Sequence, residues 1–343
     1  MFGLPLEGRS FALFGVWFRD VFGAHPLADT GGAKRCVPLH IVRKDRSFLL
    51  PRGGWNDEIS EKRVCLIGCG SVGGLVALEL VRAGVRRMLL IDPDTLQDEN
   101  TYRHVLGRAG LGHGKAAALV ADLRLRHPYT DLKAELGRAE SLVAAGAVDL
   151  GLFDLVVIAV DDMTAALHLS RALASRSPRQ GTIYAWLDPM GLGGHVLTAL
   201  PDARGCLRCL FTRPTTGGFI QNRASFVGEG QQVEVALGGC GNRFTPFGML
   251  DASQTANLAT RAALDVLLQQ GDSPSLRSWK GDAGGFRDAG YATSARYSLP
   301  QTTLDRARHE FVAPSCQQCS TGAGVHDGAA SSSGEAEAGG HGG

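Results

Sequence analysis

The run Val64–Ile67, followed at once by Gly68-Cys-Gly-Ser-Val-Gly73, constrains this chain more than any other stretch. Four consecutive apolar residues suit a strand buried on both faces, and such strands belong to parallel sheets. Gly74–Ala83 then places apolar residues at helical spacing, and Gly84 supplies a C-cap. Strand, glycine turn and helix in that order bring backbone N–H groups and the positive end of a helix to one point, a geometry suited to phosphate.

The pattern continues beyond this unit. Met88–Ile91 is a second buried strand ending at Asp92, which is placed to accept hydrogen bonds from ribose hydroxyls. Gly114–His127 reads as a helix stopped by Pro128, and Leu155–Val160 as another strand covered on both faces. Ile183–Trp186 and Val196–Leu200 are further strands, Thr212–Gly239 is a crossover loop, and Gly248–Gln270 is a buried helix. Strands alternating with helices at this spacing predict an α/β fold, a Rossmann-like doubly wound, mostly parallel sheet with helices on both faces.

The organisation expected around that sheet has four parts. Residues 1–56 mix aromatics, proline and glycine with alternating pieces at Val37–Val42 and Phe48–Leu50, and read as a β-rich lead-in or the remnant of a preceding domain. Residues 57–280 carry the sheet, 281–321 form a small C-terminal subdomain, and 322–343 are Gly/Ala/Ser/Glu-rich with almost nothing to bury, hence disordered. The 35 basic and 34 acidic side chains nearly cancel, giving no reason to expect a nucleic-acid partner. No stretch reaches the roughly 18 apolar residues of a membrane-spanning helix, and Met1–Phe18 lacks the plan of a signal peptide, so a cytoplasmic protein is expected.

The glycine loop alone favours NAD or FAD and an oxidoreductase. The residues beyond the second strand shift the balance. Asp92-Pro-Asp94, then Asn100-Thr-Tyr-Arg103-His104 and Gly112-His-Gly-Lys115, put an amide and two cations next to the nucleotide strand. A triphosphate needs its charge neutralised before a carboxylate attacks the α-phosphorus, whereas a nicotinamide does not. Lys115 opens a helix, where a cation is disfavoured by the dipole, so a specific anion for it to bind is expected. A Walker A loop is excluded, because its first glycine and the Ser or Thr after the lysine are missing.

Cys206-x-x-Cys209 and Cys316-x-x-Cys319, with 106 residues between the pairs, suit tetrahedral zinc in a closed structural site that pins the C-terminal subdomain. Redox chemistry at Cys-x-x-Cys is the alternative, but neither pair follows a thioredoxin-like strand.

From Arg63 to about Leu268 the chain resembles the ThiF/MoeB/HesA family, whose adenylation domain is shared with ubiquitin-activating enzymes. The resemblance rests on the Asp after the second strand, Asn100-x-x-Arg103, Gly112-x-x-Lys115, Asp154-Leu-Val-Val-Ile-Ala-Val-Asp161-Asp162, Gly205-Cys-Leu-Arg-Cys-Leu-Phe211 and Gly239-Cys240. Arg103-His104-Val-Leu-Gly107, with His where sulfur-carrier adenylases usually have Gln, looks most like bacterial ThiF-domain proteins of ubiquitin-like conjugation systems. The resemblance implies an adenylyltransferase. It would use ATP to activate the C-terminal glycine of a small β-grasp ubiquitin-like or sulfur-carrier protein, as a homodimer, with a conjugating enzyme as a further partner. It implies that Gly68, Gly70 and Gly73 form the nucleotide loop, Asp92 holds the ribose, Asn100, Arg103 and Lys115 contact the phosphates, and Asp94 belongs to the cofactor-binding set. It also implies magnesium on Asp161, zinc on the four cysteines, and a sulfur-transfer or thioester role for Cys240. For Asp161 a helix N-cap is the alternative, a role that Asp162 fits better. For Cys240 the alternative is a small buried residue in a glycine-rich turn. An inactive carrier-binding scaffold is the remaining reading; the retained Asp92, Arg103, Lys115 and Asp161 speak against it.

Overall fold

The structure is a computed structural model of the 343-residue chain. It describes every residue except 1, 6–10, 24, 56, 176–179, 202, 234, 237–242, 245, 272 and 321–343, and gives backbone alone at 2, 5, 235, 236, 243, 244 and 320. Cys240 and the tail after residue 320 therefore lie outside the described residues. The chain divides into two compact units, Met1–Asn56 and Asp57–Gly343.

In the first unit, β1 (Phe2–Pro5), β2 (Phe11–Phe22) and β3 (Gly32–Leu39) form an antiparallel sheet in that order. The alternating piece at Phe48–Leu50 is not a strand. It falls in α1 (Arg46–Leu49) and a following turn, because Asp45, extended and bonded to Arg43 and Ser47, starts a helical turn and Pro51 fits the next one.

The second unit is built on seven strands: β4 (Arg63–Ile67), β5 (Arg87–Asp92), β6 (Asp131–Leu136), β7 (Leu155–Ile158), β8 (Gly181–Asp188), β9 (Gly193–Ala199) and an edge strand from Ser275 to Lys280. Between the last two lie the short β10 (Val235–Ala236) and β11 (Arg243–Phe244), which pair with each other, so the edge strand is β12. The order across the sheet is β12-β9-β8-β7-β4-β5-β6. Strands β8 to β6 run parallel, while β9 and β12 are antiparallel additions on one side. The chain steps outward from β4 to β5 and β6, then returns to lay β7 on the other flank of β4. The carboxyl ends of β4 and β7 are thus the point where winding reverses, and ligands bind such sheets there.

The helices follow as α2 (Ser71–Ala83), α3 (Lys115–Arg126), α4 (Ala139–Ala144), α5 (Met163–Ala174), α6 (Met249–Leu267), α7 (Gly284–Asp288), α8 (Gln301–Arg306) and α9 (Gln317–Ser320). Side chains alternate across the sheet. Val64, Leu66, Met88, Leu90, Leu155 and Val157 pack toward α2, α3 and α6. Cys65, Ile67, Val156, Ile158, Tyr184 and Trp186 pack toward α4, α5 and the segment bearing Phe311 and Cys316. Each fully buried Leu or Ile in these layers stabilises the fold by about 1.5–3 kcal/mol. No helix among the described residues is long and apolar enough to cross a membrane.

Candidate functional site

The three glycines after β4 each serve a different local need. Gly68 sits at φ 90, and a Cβ there would lie 2.3 Å from the Ala159 carbonyl oxygen. A Cβ on Gly73 would lie 1.9 Å from the Gly68 carbonyl oxygen, so only glycine lets α2 start against the loop. Gly70 precedes α2, and a Cβ there would meet nothing within 4 Å. The thirteen-residue α2 has neither a side-chain cap nor an acidic residue in its first turn. Its first N–H groups are thus left for a ligand or for water.

The loop is held from two sides at Cys69. The Cys69 N–H donates to Asp92 Oδ2 at 2.6 Å, and Asp92 Oδ1 accepts the N–H of Asp94 at 2.8 Å. Burial pushes the Asp92 carboxyl above its ordinary pKa, against the two N–H bonds that favour the anion. From the other side His104 Nε2 bonds the Cys69 carbonyl at 2.7 Å, while His104 Nδ1 accepts the N–H of Leu106 at 3.3 Å. That pattern requires the neutral ring with its proton on Nε2, and burial pushes the His104 pKa down accordingly. Sequence reasoning registered His104 only as a departure from Gln. Its bracing role carries no local signal, because the partner is thirty-five residues away.

Asp94 is the carboxylate open to solvent here. Its Oδ2 accepts from Lys115 Nζ at 2.7 Å, and its carbonyl accepts the Lys115 N–H at 2.8 Å. Lys115 is the first residue of α3, so Asp94 is the anion that offsets its position at the helix start. Asn100 turns its carboxamide oxygen to the Gln97 N–H at 3.0 Å, closing the short turn that carries Arg103. The Arg103 guanidinium lies over the Phe247 ring, 5.1 Å from its centroid.

Beyond β7, Asp162 caps α5, accepting from the N–H groups of Thr164 at 2.8 Å and Ala165 at 3.1 Å. These bonds, that of Ala165 foremost, hold its carboxyl below the ordinary range. Asp161 is exposed and makes no hydrogen bond or ion pair among the described residues, which leaves its carboxylate available to a cation. The structure thus brings the glycine loop, Asp92, Asp94 and Lys115 into one bonded array. It sets Asn100 and Arg103 on the adjoining turn and Asp161 at the exit of β7.

A second centre gathers all four paired cysteines. Their sulfurs lie within 4.8 Å of one another, with separations of 3.3 Å (Cys206–Cys319), 3.4 Å (Cys209–Cys319), 3.8 Å (Cys206–Cys316) and 4.0 Å (Cys206–Cys209). Sulfurs at the corners of a zinc tetrahedron are about 3.8 Å apart for a Zn–S bond of about 2.3 Å. The Gly205 N–H points at Cys319 Sγ at 3.4 Å, and Arg223 joins the carbonyls of Cys209 and Phe311, stitching together the two chain segments that supply the thiols. The donor set fits zinc. The other cysteines differ: Cys65 is buried in β4 with its thiol pushed up to about 12, Cys69 is buried in the loop, and Cys36 is exposed.

Comparison with known proteins agrees with this architecture. The model of the ThiF family matches residues 46–283. The ATP-dependent ubiquitin transferase-like protein Cap2 of Pseudomonas aeruginosa is 26% identical over 243 residues, 69% of this chain and 42% of that protein. The mouse adenylyltransferase and sulfurtransferase MOCS3 is 30% identical over 205 residues, 58% of this chain and 42% of that one. Among solved structures, Escherichia coli MccB with ATP superposes with a TM-score of 0.51 at 16% identity, covering 66% of this chain and 62% of that chain, and so shares the fold. The chain spans about two fifths of the length of these curated relatives. It belongs to the ThiF family.

Proposed function

We propose that this chain uses ATP to adenylate the C-terminal glycine carboxylate of a small β-grasp protein, of ubiquitin-like or sulfur-carrier type. The observation that carries this reading is the set of charged residues on the segments that follow β5 and β7, beside an α2 whose start is uncapped. Lys115 and Arg103 supply positive charge, and Asp161 offers an exposed carboxylate without a partner among the described residues. Oxidoreductase chemistry on a nicotinamide has no use for that set.

In the proposed step a carboxylate oxygen of the substrate attacks the α-phosphorus of ATP. A C–O–P mixed anhydride forms, the bond to the β-phosphate breaks, and pyrophosphate leaves. Lys115 and Arg103 would stabilise charge on the phosphates as it redistributes, and the α2 N–H groups would orient them. Asp161 would hold magnesium, which typically takes only one or two protein carboxylates and supplies charge neutralisation of the phosphates. Asp92 would keep the loop in shape from behind, with its spare lone pairs and the neighbouring Asp94 facing the ribose. Transfer of the acyl group to the Cys240 thiol, releasing AMP, is the second step of the reading. Zinc on Cys206, Cys209, Cys316 and Cys319 would be structural. A homodimer and a cytoplasmic setting, which keeps such thiols reduced, complete the proposal.

ATP–pyrophosphate exchange, driven by a β-grasp protein ending in Gly-Gly, tests it. Exchange is expected to fall at least tenfold in Lys115→Ala and Asp161→Ala. Full exchange in both variants, or binding of reduced nicotinamide with no binding of ATP, would overturn the reading.

A further inference from the structure

The Arg103 guanidinium rests on the face of Phe247, 5.1 Å from the ring centroid and within cation–π range. Among the described residues it makes no hydrogen bond and no ion pair, so the ring is what sets where its charge sits. Phe247 is itself fixed. It is half-buried against the core layer that includes α2, α3 and α6. On one side of it the Pro246 carbonyl accepts the N–H of Met190, and on the other the Gly248 N–H donates to Asp251 Oδ2 at 2.8 Å, at the start of α6.

The far end of the same connection is tied to the same turn. Asp188 accepts from the Ser225 hydroxyl at 2.9 Å and from the Phe226 N–H at 2.6 Å. Its Oδ2 also meets His195 Nε2 at 2.9 Å, and the other ring nitrogen of His195 bonds the Ser278 hydroxyl. The chain between Phe226 and Phe247 thus leaves and returns at the turn Asp188–Met190, where Met190 is held at φ 56.

We infer that Phe247 is a positioning residue for Arg103: it holds the phosphate-facing guanidinium from the return end of the Phe226–Phe247 connection. The inference rests on the ATP reading above. It makes phosphate binding sensitive to where that connection ends, through one ring that itself touches no phosphate.

Calorimetric titration of ATP into the full chain tests this without any carrier. Phe247→Leu keeps an apolar side chain and removes the ring, whereas Phe247→Tyr keeps the ring. The Leu variant is expected to bind ATP about three- to tenfold more weakly, and the Tyr variant to stay within about twofold of the parent. In an Arg103→Ala background the Leu substitution should change nothing further. ATP affinity in the Leu variant equal to the parent overturns the inference. So does the same loss in the Arg103→Ala background, since the ring would then act by packing alone. If Leu lowers the melting temperature enough to obscure binding, Phe247→Met makes the same comparison. A parent chain that binds no ATP removes the adenylation reading and this inference with it; a parent and a Leu variant that bind equally remove this inference alone.

Discussion

The glycine loop and the cysteine centre are organised in opposite ways. At the loop each bracing side chain ends on backbone: Asp92 on the N–H groups of Cys69 and Asp94, His104 on the Cys69 carbonyl. At the cysteine centre the four thiols mainly face one another, and the segment bearing Cys316 and Cys319 reaches the sheet from the far end of the chain. One site is shaped by the fold before any ligand arrives. The other leaves four thiols crowded together unless an ion holds them, so an ion there would be part of the fold. The largest effect expected from breaking this contrast is metal removal. Chelation, or Cys316→Ser with Cys319→Ser, should strip hydrogen-exchange protection from about residues 299–320 while protection of α2 and β4 persists. Structural zinc is worth about 10–16 kcal/mol in small peptides that are unfolded without it, and the buried Phe311 and Ala313 should retain part of the docking here. Uniform loss of protection across both regions would show that the two centres are one cooperative unit.

Within the glycine loop the contrast sharpens to two residues. Gly73→Ala puts a methyl against the Gly68 carbonyl oxygen, a backbone atom that cannot swing away. A loss of about 2–4 kcal/mol in urea unfolding is expected, with ATP binding lost as well. Gly70→Ala meets nothing and sits at φ −76, which any residue adopts, so stability should stay within about 0.5 kcal/mol of the parent. ATP binding should nevertheless fall in Gly70→Ala, because the open space at the start of α2 is where a phosphate would lie. Unchanged ATP affinity in Gly70→Ala would move the ligand elsewhere.

How much of this was legible in the sequence depended on how local each signal is. The buried strands β4, β5 and β7 read clearly as unbroken apolar runs, α2 as helical spacing closed by Gly84, and α6 as a long Ala- and Leu-rich stretch. The edge strands β6 and β12 were not legible. Asp-Leu-Lys-Ala-Glu-Leu is mostly exposed at the rim of the sheet, where fewer neighbours demand apolar residues, and Ser-Leu-Arg-Ser-Trp-Lys buries two serines, Ser275 and Ser278, at positions where an apolar run would have marked a strand. In β2 the aromatics are plentiful, but Phe11, Trp17 and Phe22 are exposed, so no period-two burial pattern exists to be read. The cysteine pairs announced themselves by spacing alone. Asp162 as the cap of α5 followed from helix-start chemistry, which left Asp161 over as the free acid. The double duty of Asp92, the bracing by His104 and the Arg103–Phe247 contact all join positions far apart in sequence. A Phe between Pro246 and Gly248 offers no periodicity from which its partner could be found.

The smallest expected effect separates the two braces of the glycine loop by pH. Burial holds the His104 pKa below its ordinary value of 6.5, so the folded state favours the neutral ring that donates to Cys69 and accepts from Leu106. The stability this contributes is complete above the unfolded pKa and is lost as pH falls through 6.5 toward the folded value, because only the unfolded chain then takes up the proton. Asp92 works in the reverse sense: its raised pKa opposes folding once the unfolded carboxyl ionises, so it does not produce a fall in stability on acidification from neutral pH. Gln at position 104 can donate and accept without titrating. His104→Gln is therefore expected to unfold in urea close to the parent at pH 8 and to lose less stability between pH 7 and 5. Some slope will remain from His127, whose pKa burial also lowers. Superimposable pH profiles for parent and variant would place a charged or solvent-facing ring at position 104, and the neutral bond to Cys69 would no longer account for the shape of the loop.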